Sequence, residues 1–153
     1  MNFRPVLIII SFLFLTNCDY KIANKSFDYY LSEIVSSGDS QINYQIKNIL
    51  TNDKKNQNKS LKININTKKN KTINEKNIKN KVIKYKIDII TIIKYELIQE
   101  NIEGSFKVSK SGSYDVAKKY SDTLKLEKKL IKALVRDLAN EIEFNLRSRV
   151  NDL

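Results

Sequence analysis

The chain has 153 residues, enough for one domain but too few for two domains of ordinary size. One cysteine and no histidine exclude an internal disulfide framework and structural zinc sites, which need several Cys or His ligands. The formal charge of +11 either reflects a composition rich in Lys, Ile and Asn or favours anionic partners such as phosphorylated lipids or nucleic acids.

The amino terminus has the pattern of a bacterial lipoprotein signal peptide. Val6–Leu15 is a largely apolar run of ten residues, which suits a signal peptide but falls short of the ~20 residues that span a bilayer. Leu15–Cys18 resembles the lipobox, although Asn17 stands where Gly, Ala or Ser is usual. We predict a signal peptide over residues 1–17 and lipid attachment to the Cys18 thiol. The alternative is an ordinary secretory signal or an uncleaved anchor.

The predicted lipid anchor places the mature protein in the cell envelope. Two or more acyl chains hold a protein stably on a membrane. We predict an anchor in the outer membrane, on its periplasmic side. Asp19, directly after the cysteine, resembles the inner-membrane retention signal of enteric bacteria, so the inner membrane stays an alternative.

The first half of the mature chain predicts a tether over residues 18–26 and then a single domain over residues 27–153. Phe27–Val35 is rich in aromatic and β-branched residues, which favours a strand. Asp39–Thr51 predicts a short amphipathic helix, and Asn52–Lys59 predicts a loop. The apolar residues at helical spacing in that helix are Ile42, Ile46, Ile49 and Leu50.

The second half alternates apolar and polar residues with the period of strands. Leu61–Thr67 predicts a half-buried strand, and the polar stretch Lys68–Asn80 predicts a connection to the next one. A long strand follows, interrupted on its charged face by Ile90 and Ile92, and Ser105–Ser109 predicts the last strand. The residues that share the apolar face of the long strand are Ile83, Tyr85, Ile87, Ile89, Thr91, Ile93, Tyr95 and Leu97.

A second amphipathic helix is predicted to begin at Asp122 or Thr123. Its apolar stripe comprises Ile131, Leu134, Val135, Leu138, Ile142, Leu146 and Val150. The order β-α-β-β-β-α predicts an α+β fold: a single two-layer domain with a four-stranded antiparallel or mixed sheet and two helices on one face. The other face of the sheet is then expected to be open.

No pattern supports catalysis or a cofactor. Histidine, the commonest general base, is missing, and there is no Gly-x-Ser-x-Gly elbow, Ser-x-x-Lys pair or Gly-rich phosphate loop. We therefore predict a non-enzymatic protein with no metal site.

Several segments together resemble the LPS-assembly lipoprotein family, the LptE-like partner of the outer-membrane translocon for lipopolysaccharide (LPS). The matching segments are Leu15–Cys18, Gly38–Leu50, Lys94–Leu97, Gly112–Asp115 and the terminal helix over residues 132–146. The resemblance implies a structural and chaperone-like role. The domain would plug an LptD-like β-barrel, assist its assembly and contact LPS in transit.

Two groups of side chains are candidates for contacts. The best candidate for an anionic ligand is the lysine group Lys54, Lys55, Lys59, Lys62, Lys68, Lys69 and Lys71, whose alternative is a solvated loop face. Ile90 and Ile92 either lie under a loop or mark a partner surface. The tyrosines either line a contact face or pack within the sheet: Tyr29, Tyr30, Tyr85, Tyr95, Tyr114 and Tyr120.

Two other functions stay open. One is an inner-membrane auxiliary lipoprotein of a lipid-transport ABC complex, which Asp19 favours. The other is a polybasic envelope lipoprotein that binds anionic polymers, with an affinity that falls steeply with salt. Lysines interleave with aromatic residues only around Tyr85 and Tyr95, so no specific nucleic-acid binding is expected.

Overall fold

The computed structural model describes residues 29–51 and 59–151. The predicted signal peptide, the tether and most of the predicted loop Asn52–Lys59 lie outside the described residues. The α+β class and the element order β-α-β-β-β-α are confirmed. The elements are β1 (Tyr29–Gly38), α1 (Ser40–Leu50), β2 (Lys59–Lys76), β3 (Val82–Leu97), β4 (Ile102–Asp115) and α2 (Tyr120–Asn151).

The four strands form one mixed sheet in the order β1-β2-β3-β4. β1 runs parallel to β2, since α1 carries the chain back before β2 begins. β2, β3 and β4 form an antiparallel meander with short turns. Sequence alone left the sheet as antiparallel or mixed, and the parallel β1–β2 pair makes it mixed.

β2 is much longer than the predicted strand Leu61–Thr67. It extends to Lys76, so the prediction of a polar connection over Lys68–Asn80 is wrong for its first nine residues. The apolar strand β3 pairs with β2 along this whole stretch. Its hydrogen bonds satisfy the β2 backbone groups on that side, and they do so independently of which side chains β2 carries. The true turn follows, where the Asn77 side-chain oxygen accepts hydrogen bonds from the Lys79 and Lys81 amides, both at 3.0 Å.

Two other predicted boundaries shift. β4 covers Ile102–Asp115 rather than Ser105–Ser109, because pairing with β3 continues through Ser and Gly positions that carry little hydrophobic signal. The second helix begins at Tyr120, two residues before the earlier predicted start. The first strand ends at Gly38, three residues beyond the predicted end at Val35, and the first two residues of the predicted strand Phe27–Val35 lie outside the described part of the chain.

The core lies between one face of the sheet and the two helices. The predicted apolar face of β3 is confirmed from Ile87 to Leu97, where every second side chain is buried. The stripe of α2 is buried from Leu134 to Val150, and Ile131 packs at its margin. Neither α1 nor α2 covers the opposite face of the sheet, which carries charged and polar side chains.

Gly38 allows β1 to leave the sheet. Its φ of +88° is a left-handed conformation, and an added Cβ would lie 2.0 Å from the Thr67 carbonyl oxygen. The next residue, Asp39, donates its amide to that same oxygen at 2.9 Å. Asp39 then caps α1, with its carboxylate accepting from the Ile42 amide at 3.0 Å.

In the described part of the chain, no helix combines the length and the apolar character needed to cross a bilayer.

We expect Gly38→Ala to destabilise the domain by about 2 kcal/mol or more, since a β-carbon would force the β1–α1 junction out of its conformation. Chemical denaturation followed by circular dichroism measures the change. Ser37→Ala, at the preceding exposed position, is the control and should change the free energy of unfolding by less than about 0.5 kcal/mol. Equal stability of the two variants would contradict the role assigned to Gly38.

Candidate interaction surface on the open sheet face

The predicted lysine group does not form one surface. Lys54 and Lys55 lie outside the described residues, and the other five divide between the two faces of β2 because side chains alternate along a strand. Four of these five form ion pairs, and Lys68 forms none within the described residues. The pairs are Lys59–Glu100 at 2.8 Å, Lys62–Glu33 at 2.9 Å, Lys69–Asp39 at 3.3 Å and Lys71–Glu127 at 2.6 Å.

Lys71 belongs to a cluster that joins α2 to the sheet. Its Nζ lies 2.6 Å from Glu127 Oε2 and 4.6 Å from the centre of the Tyr85 ring. The Tyr114 hydroxyl donates to the same carboxylate oxygen at 2.7 Å. Burial would raise the pKa of Glu127, but the hydrogen bonds from Lys71 and Tyr114 outweigh it and hold that pKa below its usual value. The Lys71 ammonium group is therefore engaged in contacts that hold α2 against the sheet, and it is not free for an anionic ligand.

The open face carries a patch that combines apolar and unpaired cationic side chains. Ile92 lies opposite Lys107 of β4, and Ile90 lies opposite Lys68 of β2. Lys94 follows Ile92 two residues along the same face. Opposite residues of paired strands have Cβ atoms about 5 Å apart. We call these five residues, Ile90, Ile92, Lys68, Lys94 and Lys107, the Ile–Lys patch.

The lysines of the Ile–Lys patch are not held in ion pairs with described residues, although Glu96 and Glu103 line the depression beside Lys94. None of its three lysines forms an ion pair with a residue in the ranges 29–51 and 59–151. Elsewhere on the same face the lysines are paired with carboxylates. Those pairs are Lys62–Glu33 at 2.9 Å, Lys84–Glu75 at 3.3 Å and Lys86–Asp88 at 2.8 Å.

Ile92 is 43% exposed, and Ile90 beside it is partly exposed. No described loop covers them, which favours a partner surface over burial beneath a loop. Shallow depressions lie on both sides of the patch. One, of about 450 Å³, is lined by Lys94, Glu103 and Ser105, and the other, of about 270 Å³, is lined by Ile90, Ser109 and neighbouring residues.

Some of the six candidate tyrosines are packed inside the domain and others are exposed. Tyr29, Tyr95 and Tyr114 are buried, and Tyr85 stacks on Tyr114 with ring centres 5.8 Å apart. Tyr30 and Tyr120 are exposed, but they lie away from the Ile–Lys patch, at the start of β1 and of α2. The tyrosines therefore serve mainly to pack the sheet against the helices.

Lys94 and Lys107 were not singled out from the sequence, although both belong to the Ile–Lys patch. They are 13 residues apart in sequence and come together only through the β3–β4 register, in which Ile92 faces Lys107. Two signals together could have identified them: the apolar residues Ile90 and Ile92 on the charged face of β3, and the correct register of the β3–β4 hairpin. The described residues contain no cluster of His, Cys, Asp and Glu that could hold a metal ion.

Comparison with known proteins gives a structural likeness without a sequence match. No protein-family model and no curated protein matches the sequence. Rare lipoprotein B from Shewanella oneidensis superposes with a TM-score of 0.61 at 14% identity, covering 80% of this chain and 96% of that chain. Lipoprotein B from Nitrosomonas europaea gives a TM-score of 0.59 at 11% identity, covering 82% of this chain and 86% of that chain.

A minor lipoprotein from Acinetobacter baumannii gives a TM-score of 0.51 at 11% identity, covering 80% of this chain and 94% of that chain. At such identities the likeness establishes the fold alone. The chain has the LptE-like fold of these bacterial lipoproteins, as the resemblance of its sequence segments implied.

We expect Glu127→Gln to lower the free energy of unfolding at neutral pH by about 1–2 kcal/mol, because Lys71 and Tyr114 lose their shared ionised partner. The lowered pKa of Glu127 means that its contribution is present above the ordinary value of 4.5 and is lost as the pH falls through the folded-state pKa. The stabilities of wild type and variant should therefore converge as the pH falls below the folded-state pKa of Glu127, which lies under 4.5.

Urea denaturation at neutral and acidic pH measures this difference. Glu33→Gln is the control, since the exposed Glu33–Lys62 pair is worth less than about 1 kcal/mol. A Glu127→Gln deficit that stays constant with pH would contradict the assignment.

Proposed function

We propose that this protein is the lipoprotein subunit of an outer-membrane LPS export complex, where it occupies and helps to assemble an LptD-like β-barrel. The observation that carries the proposal is the Ile–Lys patch, on the sheet face that neither helix covers. The LptE-like fold and the lipobox segment Leu15–Cys18 support it from independent directions.

The open face has the chemistry that a barrel interior requires. The lumen-facing side chains of outer-membrane barrels are polar, so a domain that sits inside one needs a hydrated, charged surface. Within the described residues, the open face supplies three ion-paired lysines, the three unpaired lysines of the patch and a small apolar centre at Ile90 and Ile92. Exposed apolar residues within a polar rim are typical of a protein interface.

The patch lysines also suit contact with LPS. Ammonium groups form charge-assisted hydrogen bonds with phosphate oxygens, and the lipid portion of LPS carries phosphates beside acyl chains. Lys68, Lys94 and Lys107 surround Ile90 and Ile92, so a phosphate and a hydrocarbon group could be contacted side by side. In this proposal the protein binds and guides its ligand, and no reaction is catalysed.

A second candidate is an auxiliary lipoprotein of an inner-membrane ABC complex for lipid transport. The observation that favours it is Asp19, at the position of the enteric retention signal. Fractionation distinguishes the two candidates, since an inner-membrane subunit would separate with inner-membrane markers and co-purify with a transporter.

We expect a carboxy-terminally tagged protein, extracted from its native envelope in mild detergent, to recover one large β-barrel near one-to-one. The complex should survive high salt, because its core contact is apolar. Ile92→Glu should abolish recovery of the barrel without changing the unfolding midpoint, since Ile92 is already 43% exposed.

Ile98→Glu is the matched control for that substitution. Ile98 is 51% exposed but lies in the β3–β4 turn, away from the patch. Barrel recovery that is equal for the two variants, or a transporter in place of the barrel, would refute the proposal.

We expect Cys18→Ser to prevent lipid attachment. The variant should not incorporate radiolabelled palmitate and should leave the membrane fraction or accumulate as an unprocessed precursor. Asn17→Ala, which brings the segment closer to the usual lipobox, should be processed at least as fast as the natural sequence. Palmitate incorporation into Cys18→Ser would show that the anchor is elsewhere.

A further inference from the structure

The strand β2 is only half covered along its outer edge. β1 pairs with β2 from Tyr29–Lys59 to Gly38–Thr67, and there the chain turns away into α1. β2 continues for nine more residues, Lys68–Lys76, that pair with β3 alone. At about 3.3 Å per residue this uncovered edge is about 30 Å long.

Two hydrogen bonds show which backbone groups face the uncovered edge. The Thr67 carbonyl accepts from the Asp39 amide, on the β1 side, and the Ser60 carbonyl accepts from the Ile98 amide, on the β3 side. The backbone N–H and C=O groups of successive residues point to opposite edges of a strand. In β2 the groups of the odd-numbered residues therefore point away from β3. The amides and carbonyls of Lys69, Lys71 and Ile73 therefore face outward, and no other described backbone group bonds to them.

We propose that this edge binds an extended, acidic segment of a partner protein, which adds to the sheet as a further strand. An exposed strand edge is a template for such pairing, and the main-chain hydrogen bonds supply the affinity. The inference goes beyond the proposed function, since it concerns the backbone edge of β2, which shares only Lys68 with the Ile–Lys patch, and it does not depend on the identity of the barrel.

The positive charge of this edge of β2 determines which kind of partner segment it favours. Lys68–Lys76 contains four lysines and one glutamate, and Lys68 and Lys76 form no ion pair with a described residue. A second copy of the same edge would place lysines opposite lysines, which is unfavourable, so self-pairing is disfavoured. An acidic strand meets no such barrier and gains attraction from Lys68 and Lys76, the two lysines of this stretch that no described carboxylate pairs.

The edge on the other side of the sheet, formed by β4, has no excess of positive charge. β4 carries Glu103 and Asp115 against Lys107 and Lys110, and is therefore neutral overall. Lys110 is moreover paired with Glu141 of α2. The β2 edge also offers Ile73, whose side chain is 51% exposed on the helix side, as a contact for one apolar residue of the incoming strand.

The test uses the full-length chain in mild detergent and a fluorescein-labelled, capped peptide, Glu-Val-Glu-Thr-Glu-Val-Glu-Thr. We expect saturable binding by fluorescence anisotropy at low salt, together with slowed hydrogen exchange at the Lys69, Lys71 and Ile73 amides. The same peptide with every amide N-methylated keeps its charge but loses its donors, and it should bind at least tenfold more weakly. A lysine-for-glutamate peptide should not bind.

Ile73→Pro removes one outward amide and leaves the β2–β3 ladder intact, so it should weaken binding at least tenfold. Ile73→Thr keeps the amide and serves as its control. Lys76→Glu, an exposed position of the same stretch that lies outside the Ile–Lys patch, should weaken binding of the acidic peptide, and it tests the contribution of charge if the proline variant does not fold. Equal binding of the N-methylated peptide, equal affinity of the two Ile73 variants, or unchanged exchange at the three amides would overturn the proposal.

Discussion

The alternation of side chains along β3 is the constraint on which the rest of the structure depends. Its odd-numbered residues from Ile87 to Leu97 are buried against the helices, while its even-numbered residues form the open face. A shift of one residue in the pairing would bring Ile90 and Ile92 inward and expose the core residues, so the register is strongly specified. Both neighbouring strands are aligned by this register, and with them the Ile–Lys patch and the free edge of β2.

The sequence was most informative where one face of an element is buried. The stripe of α2 and the alternation of β3 predicted the helix, the strand and the two-layer order, because burial imposes a period on the residues. It was least informative over Lys68–Lys76 and the ends of β4. Those stretches are strands because of their pairing with β3 and not because of their own side chains, and pairing between distant segments leaves no local period.

The candidate surface was predictable only in part. The interruption at Ile90 and Ile92 was visible in the sequence and marked the correct face. The lysine run was misleading, because consecutive lysines on a strand point in opposite directions and four of the described ones are held by carboxylates. Lys94 and Lys107 join the surface through strand register, which is a tertiary property. The fold likeness at 11–14% identity shows that the architecture tolerates almost complete replacement of residues.

The parallel pairing of β1 with β2 bears on the order in which the chain folds. β2, β3 and β4 are joined by short turns, so their contacts are local and can form within microseconds. β1 comes first along the chain, yet its partner Lys59 lies 30 residues after Tyr29. We therefore expect the three-stranded meander to nucleate folding and β1 to dock last. During that interval the whole length of β2 offers an unpaired edge, and the domain is then most exposed to mispairing and most in need of a nearby chaperone.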